Sequence, residues 1–200
     1  MKVPTQTRAK STVAQILDAA EALFDDPGFD ATTARALAER AGLSVGGLYE
    51  WFPNKTAIAE AVAQRHIDTL GGELLAAIEK QAQAPWQSLV ASTLTAALDA
   101  HLKYPRMHRF LFENAPRSPA VRAALAALEA RLEAFLAERL TAEGIDEVEA
   151  RHRAAIALRG ANALLHEYVL DDSLPGDAAA RLDRTIMATI RLATSEETPA

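Results

Sequence analysis

Between Thr32 and Lys55 the chain reads TTARALAERAGLSVGGLYEWFPNK, and few folds accommodate that stretch. Thr32 or Thr33 can cap a short helix running to about Arg40, with Leu37 and Ala38 facing inward. Ala41 and Gly42 make a tight turn before Leu43, Ser44 opens a second short helix, and Pro53 closes it. Two short helices joined in this way present one helix end to the DNA major groove. Lys55 follows where the next helix would begin, within reach of a phosphate.

The rest of the chain carries the same periodicity and almost no strand pattern. Val13, Ile16, Leu17, Ala20, Leu23 and Phe24 recur at helical spacing, with Ser11 or Thr12 as N-cap and Pro27-Gly28 as the stop. Further helices are expected from about Asn54, from Pro85, after Pro105, from Ser118-Pro119, from the capping pair Asp146/Glu149, and over the final apolar stripe Leu182, Ile186 and Ile190. The fold class is all-α, with about nine helices. Residues 1–55 form a three-helix unit containing the helix–turn–helix, and residues 56–200 form a helical bundle.

Composition narrows the function. Cysteine is absent, which excludes disulfides, thiol nucleophiles and thiolate metal sites. No apolar run reaches the roughly 18 residues of a membrane span, and the N-terminus lacks the apolar core of a signal peptide, so a cytoplasmic protein without a membrane partner is expected. The net charge is −6, and residues 1–55 hold six basic side chains against seven acidic ones. A DNA surface must therefore be a local stripe, with Asp18, Glu21, Asp25 and Asp26 turned elsewhere.

Several side chains in the segment suit DNA. Thr33 and Ser44 add hydroxyls at two helix openings, where free N–H groups already favour phosphate. Gly46 and Gly47 cost helix stability, about 1 kcal/mol each against alanine, which points to a close backbone approach. Arg35 can bind guanine bidentately, and Tyr49 can reach the DNA backbone. Glu50, acidic beside the phosphates, either faces away or accepts from a cytosine amino group.

Residues 12–58 resemble the DNA-binding region of the TetR/AcrR family of bacterial transcriptional regulators. The resemblance rests on Ile16-Leu17, Ala19-Ala20, Leu23-Phe24, Gly28, Thr32-Thr33, Leu37-Ala38, Ala41-Gly42-Leu43-Ser44, Gly47-Leu48-Tyr49, Phe52 and Lys55. It implies that Arg35, Val45, Gly46, Gly47 and Trp51 face the groove and that Thr33, Tyr49 and Lys55 contact phosphates. It further implies a ligand-binding and dimerisation domain over residues 56–200, and a homodimeric repressor released from operator DNA by a small molecule. An activator or a ligand-independent DNA-binding protein is the alternative reading.

Trp86, Tyr104, Met107, Phe110 and Phe135 are candidate walls of the effector pocket, with His66, Asn162 and His166 as polar candidates. The competing reading is that the aromatics fill a core and the histidines sit on the surface. The five histidines show no metal-ligand spacing, so neither a metal nor a cofactor is expected. No nucleophile elbow or phosphate-cradling glycine loop appears, which argues against an enzyme. The segment around Ala154–Val169 is apolar nearly all round and carries small residues at Ala157, Gly160, Ala161 and Ala163. With Leu182 and Ile186 it suits a two-fold interface made by the last two helices. Gly71-Gly72 falls inside a long helix, as a hinge or as a site of close packing.

Overall fold

Eight α-helices and no strand occur among the described residues of the computed structural model, which are 3–81, 83–103, 110, 118–165, 167 and 177–194. In chain order they are α1 (Val3–Leu23), α2 (Ala34–Arg40), α3 (Val45–Trp51), α4 (Lys55–Glu79), α5 (Trp86–Lys103), α6 (Pro119–Ala142), α7 (Glu147–Leu164) and α8 (Ala178–Thr194). The short aromatic helix expected after Pro105 lies outside the described residues, apart from Phe110. Among the described residues no helix is long and apolar enough to cross a membrane.

The chain divides into two units: residues 1–68 with 104–124, and residues 69–103 with 125–200. The core of the first is built from Ile16, Leu17, Ala20 and Phe24 of α1 and its end, Leu37 and Ala38 of α2, Leu48 of α3, and Ile58, Ala59 and Val62 of α4. Phe110 joins them from far along the chain, stacked on Phe24 with ring centroids 5.1 Å apart and lying 5.7 Å from Phe29. The core of the second unit joins Trp86, Val90, Leu94 and Leu98 of α5 with Leu136 and Leu140 of α6, the alanine stripe Ala150, Ala154, Ala157 and Ala161 of α7, and Leu182 of α8.

Local sequence explains most helix ends. Thr33 caps α2 by accepting from the Ala36 N–H at 3.1 Å, and Ser44 caps α3 by accepting from the Gly47 N–H at 3.0 Å. Asn54 accepts from the Ala57 N–H at 2.8 Å, and Asp146 from the Val148 and Glu149 N–H groups at 3.0 and 3.3 Å. The expected reciprocal arm of that last cap is absent, because the Glu149 carboxylate pairs with Arg153 one turn on, at 2.6 Å.

One boundary differs from expectation. α1 begins at Val3, so Ser11 and Thr12 lie inside the helix and do not cap it. Its first turns carry no apolar stripe, which is why periodicity does not reveal them. At its other end α1 stops at Leu23, and a turn holding cis Asp26–Pro27 and Gly28, at φ 108°, leads to α2. Buried Thr32 ties this turn down, its hydroxyl 2.7 Å from the Gly28 carbonyl oxygen and 2.9 Å from that of Leu23.

The two glycines inside α4 differ from each other. A Cβ on Gly71 would sit 2.9 Å from Leu128 Cδ1, whereas one on Gly72 would meet nothing within 4 Å. Close packing therefore explains Gly71. Gly72→Ala is expected to raise unfolding stability by up to about 1 kcal/mol, the helix penalty of glycine. Gly71→Ala should gain less, since Leu128 must turn aside. Chemical denaturation of the two variants checks the difference, and equal gains would contradict the packing account.

Candidate nucleic-acid interface and effector cavity

α2 and α3 meet through the turn at Ala41–Ser44, where Gly42 takes φ 71° and the Leu43 N–H donates to the Ala38 carbonyl at 2.8 Å. The left-handed conformation at Gly42 lets the chain reverse within three residues. α3 buries only Leu48 fully, at 0% exposure, and leaves Val45, Tyr49 and Trp51 exposed at 40, 46 and 40%. Val45 and Tyr49 are four residues apart and share one face of α3. Thr33, Arg35, Ser44 and Gly46 are also exposed. Each cap hydroxyl accepts one N–H and keeps its own proton to donate elsewhere.

Trp51 stands apart from that face. At 3.6 residues per turn it points about 160° away from Tyr49. It borders an open cleft of about 360 Å³ whose other walls include Lys10, Val13 and Leu17 of α1 and Arg65 of α4. Lys55 is likewise engaged within the protein. Its ammonium donates to the carbonyls of Phe29 at 2.7 Å and Thr32 at 3.0 Å, approaches that of Asp30 at 3.4 Å, and lies 4.3 Å from the Phe29 ring centroid. It fastens the loop ahead of α2 to the start of α4.

Two of the acids of α1 are paired. Arg65 of α4 pairs with Asp18 and Glu21 of α1, each at 2.8 Å, which neutralises part of the negative charge of the N-terminal unit. Asp25, Asp26 and Asp30 sit in the turn after α1. Periodicity alone could not find Arg65, because its partners lie 44 and 47 residues away.

In the second unit a cavity of about 210 Å³ opens among α4, α5, α6 and α7, with Leu74, Leu94, Leu132, Leu158 and Leu165 among its walls. Among the described side chains expected to line a pocket, Asn162 alone lines this one. Trp86 is 3% exposed and fills the second unit's core, its backbone N–H held by the Glu143 carboxylate at 3.0 Å. Phe110 belongs to the core of the first unit, and His66 is buried in that unit as well. Phe135 is half-buried on α6 and lines no cavity described. Tyr104, Met107 and His166 lie outside the described residues. Trp86 and Phe110 are thus core residues, whereas Phe135 joins neither core. The cavity walls are mostly leucine and alanine, which resemble any core stripe in a sequence.

This geometry is that of a helix–turn–helix domain carried on a larger helical body. Residues 16–62 match the family model described as bacterial regulatory proteins, tetR family. The A-factor receptor protein of Streptomyces griseus is 36% identical over 85 residues, covering 42% of this chain and 28% of the relative. The HTH-type transcriptional repressor KstR2 of Rhodococcus jostii is 30% identical over 89 residues, covering 44% of each chain. The chain therefore spans less than half the length of these two relatives. A structure described as a putative TetR-family transcriptional regulator of Mesorhizobium loti superposes with a TM-score of 0.69 at 18% identity over 92% of this chain and 96% of that one. Residues 16–62 are thus similar to the tetR-family regulatory domain, and the chain shares its fold with the Mesorhizobium loti protein.

Proposed function

We propose that the protein is a cytoplasmic transcriptional repressor that binds a palindromic operator as a homodimer and is released by a small molecule. The observation that carries this reading is the outer face of α3. A seven-residue helix that buries one side chain and exposes Val45 and Tyr49 is poorly explained by the monomer alone. Gly46 adds to it. The place of its Cβ is open except for Ser44 Oγ at 3.9 Å, so internal packing does not demand glycine there. A groove floor approaching the backbone does. Gly47 has an internal reason too, since its Cβ would lie 3.2 Å from the capping Ser44 Oγ.

In this reading Arg35 contacts a base, Val45, Gly46 and Gly47 lie against the groove, and Thr33, Ser44 and Tyr49 contact the sugar–phosphate backbone. Lys55 holds the loop ahead of α2, and Trp51 lies on the side of α3 that faces the α1 cleft. Residues 1–55 supply the DNA-reading elements, and residues 56–200 supply effector binding and dimerisation. Ile156 of α7 and Met187 of α8 are exposed apolar side chains on the last two helices, which supports the dimer there. Two such reading heads sit about one DNA turn apart, roughly 34–36 Å. A ligand that favours a dimer with another spacing releases the operator.

Arg35→Ala tests the assignment. Losing a bidentate base contact is expected to weaken operator binding about ten- to a hundredfold, with relaxed preference at one base pair. The melting temperature should not move, because Arg35 is exposed. Unchanged affinity in a salt-controlled gel-shift titration would remove Arg35 from the interface.

A further inference from the structure

We propose that the cavity among α4, α5, α6 and α7 takes a short apolar molecule with a cationic head, an inference that rests on reading this cavity as the effector site. Its walls supply the apolar part of the argument. The polar wall residue Thr93 spends its hydroxyl proton on the Leu89 carbonyl of its own helix at 2.7 Å, so it offers a ligand no donor. A volume of about 210 Å³ holds roughly seven water-sized groups at about 30 Å³ each, the length of a short alkyl chain.

Charge fixes the head group. Glu129, Glu133, Arg159 and Asn162 bring two carboxylates, one guanidinium and one amide to this lining. Glu133 and Arg159 pair with each other at 2.9 Å. Glu129, one turn before Glu133 on α6, is exposed and shows no partner among the described residues.

An anionic head entering here meets Glu129. Arg159 engages Glu133 through Nε, so an anion could reach its Nη groups only as a second carboxylate-like partner of a cation already paired, beside two acidic side chains. An ammonium pairs with Glu129 and leaves the existing ion pair intact. With two carboxylates against one guanidinium the lining carries an excess negative charge, which repels a carboxylate head and attracts an ammonium.

Calorimetric titration of the full-length protein at neutral pH with octylammonium, 1-octanol and octanoate tests this, since the three are unbranched eight-carbon compounds that differ in the head group. Octylammonium is expected to bind at least about tenfold tighter than octanoate, with octanol between them. Glu129→Gln should bring the first preference to about twofold without shifting the melting temperature, because Glu129 is exposed. Equal or tighter binding of octanoate, an unchanged preference in Glu129→Gln, or no binding by any of the three overturns the proposal. Operator release is measured in the same samples. Selective octylammonium binding without release supports the head-group assignment and refutes the effector reading instead.

Discussion

Phe110→Ala is expected to destabilise the N-terminal unit by about 3–5 kcal/mol, the usual range for removing a buried phenyl ring. Phe110 is 3% exposed and packs on Phe24 and Phe29, and the Phe29 ring in turn lies against the Lys55 ammonium. Deleting the ring leaves a void beneath the loop that leads into α2. The two tryptophans separate the units conveniently, Trp51 in the first and Trp86 in the second. In a Trp86→Phe background, Trp51 fluorescence should report an earlier unfolding transition for Phe110→Ala. Operator binding should fall with it, although residue 110 lies well outside the helix–turn–helix segment. A transition that stays in place would exclude Phe110 from this core.

Leu48→Ala and Tyr49→Ala form a second contrast between neighbouring positions. Leu48 is fully buried and is the side chain that anchors α3, so its truncation should cost about 2–5 kcal/mol and abolish DNA binding by loosening the helix. Tyr49 is nearly half exposed, so its truncation should leave stability within about 0.5 kcal/mol. Losing one backbone contact from each half-site should still weaken operator binding about tenfold. Thermal melts with parallel binding titrations check both. Comparable destabilisation by the two variants would mean that α3 does not present the face described.

The helix–turn–helix unit is largely legible because its signals are local. Caps at Thr33, Ser44 and Asn54, the turn at Gly42 and the stripe through Leu37, Ala38 and Leu48 act within a few residues of themselves. What could not be read depends on distant chain. Lys55 carries the charge expected of a phosphate contact, yet carbonyls 23 to 26 residues away claim its ammonium. Trp51 and Tyr49 are near neighbours in sequence, and only helical geometry and the α1 cleft separate their faces.

The second unit is less legible for a related reason. Large aromatics attract attention as pocket walls, but Trp86 and Phe110 are what the two cores need to reach close packing. The cavity instead lies among leucines from four helices, where each stripe alone looks like ordinary core. The early start of α1 leaves no mark in the sequence because Val3–Lys10 is mostly polar and lacks periodicity.

Selection of bound sequences from a pool of random duplex DNA, using the purified full-length protein, tests the central claim most directly. The account predicts enrichment of a two-fold symmetric site with half-sites about one helical turn apart, bound with an affinity that falls steeply as salt rises. Recovery of no symmetric sequence, or binding indifferent to sequence, would contradict both the reading head and the dimer that carries it.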